Sequence, residues 1–228
     1  MTIGLCLLVY NELEGCRLSI PHIMPDQFDE VFAVDGGSTD GTIEFLRTAG
    51  IEVRIQPRKG YNAAYIYAFE TTSCEALIFF HPKGTIPPSQ TLLFRNYFSL
   101  GYELIIASRI MKGAVNEEDK HLLKPRKWFV VSLGVLVALI WKKEGNFVGD
   151  VLHGFRGMTK SAFLAIEPLD KGLSIDLEMA VRSYRKKLKR IEFPVHERSR
   201  QFGETHFRPI PTAIGIFKYL WFELKRKG

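Results

Sequence analysis

From Ile3 to Phe80 the chain alternates short apolar runs with longer amphipathic stretches, a pattern that a parallel α/β sheet accommodates and few other folds do. Ile3 to Val9 is an unbroken apolar run, which suits a strand buried on both faces. Glu12 to Ile23 reads as a helix, Glu30 to Val34 as a second strand, and Thr42 to Ala49 as a helix with Gly50 at its end. Glu52 to Gln56, helix Asn62 to Thr71 and strand Ala76 to Phe80 continue the alternation. The expectation is an α/β fold with a mostly parallel central sheet flanked by helices.

The second half predicts helix Ser89 to Leu100, strand Leu104 to Ser108, and strands Phe155 to Thr159 and Arg190 to Val195 around helix Asp176 to Lys187. Thr212 to Arg226 reads as an amphipathic helix carrying Phe217, Tyr219, Leu220, Trp221 and Phe222, closing in Lys225-Arg226-Lys227. No repeat, low-complexity tract or linker interrupts residues 1–228, so a single domain is expected. A composition 46% hydrophobic and 25% charged argues against disorder of the whole chain. The formal net charge of +6 favours anionic partners such as nucleotide phosphate, anionic lipid or nucleic acid. Nucleic acid is set aside, because the basic residues are scattered and no recognition element is present. Cys6, Cys16 and Cys74 lack disulfide-framework or zinc spacing and read as buried thiols. With an N-terminus that reads as a strand and not as a signal peptide, they imply a cytoplasmic compartment. The apolar stretch Trp128 to Trp141 spans about 21 Å as a helix, short of a bilayer, and is read as buried or interfacial.

Ligands of parallel sheets bind beyond the carboxyl ends of the strands, and polar turns fall at those ends here. Asn11-Glu12 follows the first strand, Asp35 to Thr42 the second, Arg58-Lys59-Gly60 the third and His81-Pro82-Lys83 the fourth. Ionised Asp35 accepts hydrogen bonds, as a base or ribose requires, and the glycines after it let the backbone approach a ligand. Asp40 and Thr42 are read as helix caps.

These segments resemble a known family. Val9-Tyr10-Asn11-Glu12 resembles the xYNE opening of family 2 glycosyltransferases, and Val34 to Thr42 their VDDGSTDGT signature with Gly36 in place of one Asp. Arg58-Lys59-Gly60-Tyr61-Asn62-Ala63-Ala64 is similar to their xxGKGxAxA turn. Asp150 to Arg156 resembles the DxxSGFR segment of the dolichyl- and polyprenyl-phosphate sugar synthases, and Pro194 to His206 their later V-P-I…R-x-x-GES-K stretch. The matches run from residue 9 to about 206. The resemblance implies a GT-A type, Rossmann-like fold and inverting sugar transfer from a UDP- or GDP-sugar to a lipid-linked phosphate. It implies a nucleotide-binding half over 1–110, an acceptor-binding half over 111–211 and a tail over 212–228. Tyr10, Asn11, Glu12, Asp35, Gly37, Ser38, Arg58, Lys59 and Gly60 are the expected nucleotide site. Arg126, Gly154, Arg156 and Arg200 are expected at the acceptor, and Lys83, Arg109, Arg126, Asp150 and Asp176 in catalysis.

The family usually carries DxD at the end of strand four to hold Mg²⁺ or Mn²⁺. Pro87-Pro88 align with its two prolines and place His81-Pro82-Lys83 at that position, where both carboxylates are missing. An ammonium repels a cation that wants oxygen ligands, so no metal ligand is nominated. Lys83 is expected to take the metal's place, with Arg109 and Arg126 assisting. Two alternatives stand beside this. One is the same transfer to a hydroxyl of a cell-envelope glycan, with Asp176 as base; helix-start placement of Asp176 and Glu178 is the rival reading of that pair. The other is a silent nucleotide-binding or membrane adaptor. Lys124-Pro125-Arg126-Lys127 before the apolar stretch and Lys142-Lys143 after it fit an interface helix over 126–141 on the cytoplasmic face of a membrane. A core helix or homodimer contact is the competing reading.

Overall fold

The computed structural model describes residues 1–120, 123–169, 172, 174–200, 202 and 209–226. Among these, strands β1 (Ile3–Val9), β2 (Glu30–Asp35), β3 (Glu52–Ile55), β4 (Ala76–Phe80), β5 (Leu104–Ser108), β6 (Arg156–Thr159) and β7 (Arg190–Pro194) form one sheet in the order β3-β2-β1-β4-β6-β5-β7. The pairings of β1 with β2 and β4, of β2 with β3, and of β5 with β7 are parallel. β6 lies antiparallel between β4 and β5. The carboxyl ends of the other six strands therefore share one edge, and β6 enters the sheet there at Arg156, level with Phe79 and Ile106.

Period-two alternation sorts the strand residues into two cores. Cys6, Leu8, Phe32, Val34, Phe79 and Ile106 face one side, packing with residues of α3 (Tyr61–Thr71), α6 (Lys160–Ala165) and α7 (Ile175–Arg185). Leu5, Leu7, Ala33, Ile78, Phe80 and Ile105 face the other, with residues of α1 (Leu13–Ser19), α2 (Thr42–Thr48) and α4 (Leu93–Ser99). This is the expected α/β architecture with a mostly parallel sheet, of GT-A, Rossmann-like type.

Some boundaries differ from the sequence reading for local reasons. The first helix yields to a 3₁₀ turn at Ile20–His22, where Pro21 cannot supply an amide hydrogen. The helix expected from Ser89 begins as a 3₁₀ turn over Pro88–Leu92 before α4. α6 was not anticipated; Thr159 caps it, its hydroxyl accepting from the Ala162 amide at 3.3 Å.

Helices α5 (Pro125–Trp141) and α8 (Pro209–Lys225) each bury one face and expose apolar side chains on another. α5 buries Val130, Leu133, Gly134 and Val137 and exposes Trp128, Val131, Val135 and Leu139. α8 buries Ile216, Tyr219 and Leu220, and its buried Glu223 pairs with Arg182 and Arg185 of α7. Ile214, Phe217, Trp221 and Leu224 point outward. Among the described residues no helix is long and apolar enough to cross a membrane.

Candidate active site at the carboxyl edge of the sheet

The turns after β1 and β2 are stitched together. Asn11 has a φ of 49°, a left-handed conformation that asparagine tolerates. Its amide donates to Ser38 Oγ at 2.8 Å, and its Oδ1 accepts from the Thr39 amide at 2.8 Å. Asp40 accepts from the Leu13 amide at the start of α1 and from the Thr42 amide at the start of α2, each at 3.0 Å, so it caps both helices. Burial pulls the Asp40 carboxyl up, but the bonds from Thr42 and Leu13 outweigh that and hold it below its usual range.

Asp35 was expected to meet a nucleoside directly. It is fully buried instead, with Oδ1 accepting from the amides of Gly37 and Ser38 at 2.7 and 2.8 Å and Oδ2 from Ser38 Oγ at 2.6 Å. As placed, Asp35 shapes the turn that Gly37 and Ser38 present. Tyr10, 48% exposed, lies against Gly36 beside that turn. Arg58, Lys59 and Gly60 are exposed after β3, with Arg58 3.4 Å from Glu70.

The turn after β4 rests directly on α1. A Cβ at Gly15 would fall 2.4 Å from the Pro82 carbonyl oxygen and 2.9 Å from Lys83 Cα, so this contact requires glycine. Lys83 thereby joins a cluster of alternating charge. Arg200 Nη2 lies 2.5 Å from Glu12 Oε1. Arg109 forks onto Asp150, its Nε, Nη2 and backbone amide each at 3.0 Å, and its Nη1 lies 3.6 Å from Glu197 Oε2. Burial lowers the Lys83 ammonium, Arg200 adds to this, and Glu12 and Glu197 oppose it. Burial raises the fully enclosed Asp150 carboxyl, but the Arg109 charge and hydrogen bonds overcome this and bring it down to about 2. Asp150 is thus the anchor of Arg109 and is poorly suited to accept a proton.

A second cluster adjoins the first through His81. Asp176 Oδ2 accepts from the Tyr61 hydroxyl at 3.1 Å and Oδ1 from the Tyr65 hydroxyl at 3.3 Å, with Arg156 Nε 3.1 Å away. Burial raises the Asp176 carboxyl despite the opposing pull of Arg156 and both tyrosines. A Cβ at Gly154 would fall 2.6 Å from both His81 Cε1 and Tyr61 Oη, so Gly154 serves close packing beneath the cleft. Burial, with Lys83, His153 and Arg156 nearby, holds His81 neutral, well below the usual histidine range. Arg156, expected at the acceptor, is fully buried; it donates to the carbonyls of His153 and Asp176 at 2.8 and 2.6 Å. It supports Asp176 from below and has no surface to offer a ligand as placed. Glu178 is likewise internal, accepting from Asn62, Ser174 and the Leu169 amide.

The structure therefore gathers Glu12, Lys83, Arg109, Asp150 and Arg200 at one place and Gly154, Arg156 and Asp176 beside them. Arg126 stands apart on the first turn of α5, 65% exposed, and pairs with Glu117 at 3.2 Å. Gly203 to His206 lie outside the described residues. Tyr61 and Glu197 fall inside segments that carry the family resemblance but were not nominated for the site, and Tyr65 escaped the sequence reading. Glu197's position just after β7, at the ligand edge, was the available signal. Among the described residues no group of three His, Cys, Asp or Glu side chains is placed to hold a metal ion. Glu12, Asp150 and Glu197, the carboxylates ion-paired within the Lys83 cluster, all face arginines, so these residues do not fit a hard divalent cation.

A mostly parallel α/β sheet with Lys83, Arg109 and Arg200 gathered among carboxylates at its carboxyl edge has the architecture of an α/β protein that binds ligands at that edge. Residues 5–166 match the family described as Glycosyl transferase family 2, and the chain belongs to that family. It is 26% identical to the glycosyltransferase AglJ of Haloferax volcanii, over 96% of this chain and 71% of AglJ. Its fold is similar to that of glucosyl-3-phosphoglycerate synthase from Mycobacterium tuberculosis. With Mg²⁺ and UDP bound, that enzyme gives a TM-score of 0.73 at 15% identity, over 100% of this chain and 80% of the synthase. With phosphoglyceric acid bound, the TM-score is 0.74 at 16% identity, over 100% and 81%.

Proposed function

We propose that this glycosyltransferase moves a sugar from a UDP- or GDP-sugar to a lipid-linked phosphate at a membrane surface, with protein cations in place of a metal. The observation that carries the reading is the meeting of Lys83, Arg109 and Arg200 around the turn where the family usually places DxD. An acceptor oxygen attacks the anomeric carbon from the face opposite the diphosphate, the sugar–phosphate bond breaks, and the nucleoside diphosphate leaves with the electron pair. Lys83 and Arg109 stabilise the charge that develops on it. Tyr10 and the turn that Asp35 braces receive the nucleoside, and Arg58 and Lys59 flank the diphosphate.

A phosphate acceptor is already anionic and needs no base. Exposed apolar side chains on α5 and α8, bordered by Lys124, Lys127, Lys142, Lys143 and Lys225, suit the headgroup boundary of the cytoplasmic leaflet. One observation favours a second reading: Asp176, held by Tyr61 and Tyr65 with its proton affinity raised, is suited to be the base for a hydroxyl acceptor.

Calorimetric titration of UDP and GDP, each with Mn²⁺ and with EDTA, tests the donor site. One nucleotide should bind in EDTA, and Lys83→Met should weaken it by roughly 10- to 100-fold, the worth of one charge-assisted contact. Binding that requires Mn²⁺ would refute the metal replacement. Absence of binding by either nucleotide would favour the silent adaptor.

A further inference from the structure

Among the described residues, Glu197 is the carboxylate of the Lys83 cluster with a buried terminal oxygen that makes no hydrogen bond. Its Oε2 is buried and has no hydrogen-bond partner among the described residues; Arg109 Nη1, at 3.6 Å, stands too far to bond it. A buried carboxylate oxygen without a partner is costly and calls for a reason. The backbone holds it there from both sides, the Glu197 amide donating to the Val115 carbonyl at 2.9 Å and the Arg198 amide to the Thr85 carbonyl at 2.8 Å. Facing it are Lys83 from the turn after β4, Arg109 from the end of β5, Asp150 from the segment before β6 and Glu117 from the 3₁₀ turn Glu117–Lys120.

Lys83, Arg109 and Arg200 bring three positive charges, and Glu12, Glu117, Asp150 and Glu197 bring four negative ones. A nucleotide sugar adds two more negative charges to a cluster that has no positive charge in excess. Glu12 and Asp150 are tied to arginines by close ion pairs, at 2.5 and 3.0 Å.

We propose that Glu197 is the proton-binding group of the phosphate subsite: it takes up one proton from solvent as the donor's diphosphate enters, freeing Arg109 and Lys83 for the phosphate oxygens. The inference rests on the donor reading above. Burial already raises the Glu197 carboxyl, and Glu117 and Asp150 push the same way, against Arg109 and Lys83. Arriving phosphates raise it further. Donor affinity is then highest at low pH, where Glu197 is already protonated, and falls as pH rises and the proton must be drawn from solvent.

The test is calorimetry of UDP-glucose and GDP-mannose at pH 7 in two buffers of different ionisation enthalpy. The diphosphate diesters of these probes do not titrate near neutrality, so any proton taken up enters the protein. The wild type should take up a measurable fraction of a proton on binding. Glu197→Gln should lose most of that uptake and bind about tenfold tighter at pH 8, the worth of removing one repelling charge. Glu197→Ala should lose the same uptake, since charge and not shape is at issue. Uptake by Lys83 or His81 would persist in both variants. Equal proton counts in wild type and Glu197→Gln, or weaker binding by Glu197→Gln, would overturn the proposal. Binding of neither nucleotide sugar would overturn the donor reading itself, and the inference with it.

Discussion

Replacing Asp150 with asparagine tests the structural core of the site. The carboxylate is fully buried and receives three bonds from Arg109, one from the backbone amide and two from the guanidinium. Its carboxyl sits at about 2, against 3.8 for an unperturbed aspartate, which corresponds to roughly 2 kcal/mol of stability at neutral pH. Asparagine removes the charge and turns an N–H toward the guanidinium, so the total loss should be about 2–4 kcal/mol. Because the folded-state value is depressed, this contribution is fully present above about pH 5 and fades as pH falls toward 2. Roughly half of the charge contribution should remain at pH 3. Urea unfolding of both proteins at pH 7, 5, 4 and 3 measures this, and the difference between them cancels the other carboxylates. A difference under about 0.5 kcal/mol at pH 7, or one that does not shrink with acid, would refute the assigned pairing.

Two further outcomes follow from the proposed chemistry. Asp176→Asn should leave transfer to a lipid phosphate within a few-fold of wild type, yet lower transfer to a glycan hydroxyl by about 100-fold or more. Loss of phosphate transfer in a variant that melts normally would sink the phosphate reading. Glutamine at both Trp128 and Leu139, exposed on α5, should reduce cosedimentation with anionic-lipid vesicles severalfold and leave nucleotide affinity unchanged. Unchanged vesicle binding would remove α5 from the membrane contact.

Lys83 and Arg109 illustrate how far local reading reaches. Each follows a strand that the apolar pattern marks clearly, so each could be placed at the carboxyl edge of the sheet from sequence. Asp40 was likewise legible as a cap, because capping is decided within a few residues. Asp35 was not: its position was foreseen, but the closing of its own turn around both carboxylate oxygens was not. Arg156 and Asp150 sit in a segment whose motif was recognised, yet motif spacing carries no information on which side chain faces the cleft and which is enclosed.

The sequence by itself determined the alternation of strands and helices, the edge at which polar turns gather and the family to which residues 5–166 belong. These depend on periodicity and on hydrogen bonding between near neighbours, which a linear chain displays. The tertiary structure alone decided that Arg200 pairs with Glu12 across 188 residues, and that Glu197 faces Lys83 and Arg109 with an oxygen that makes no hydrogen bond among the described residues. Those contacts follow from inserting β6 antiparallel between β4 and β5 and from the return of the chain after β7 across the turn at Thr85. Coulomb interactions act through space and are weighted by burial, so their partners become known only when the strand order is.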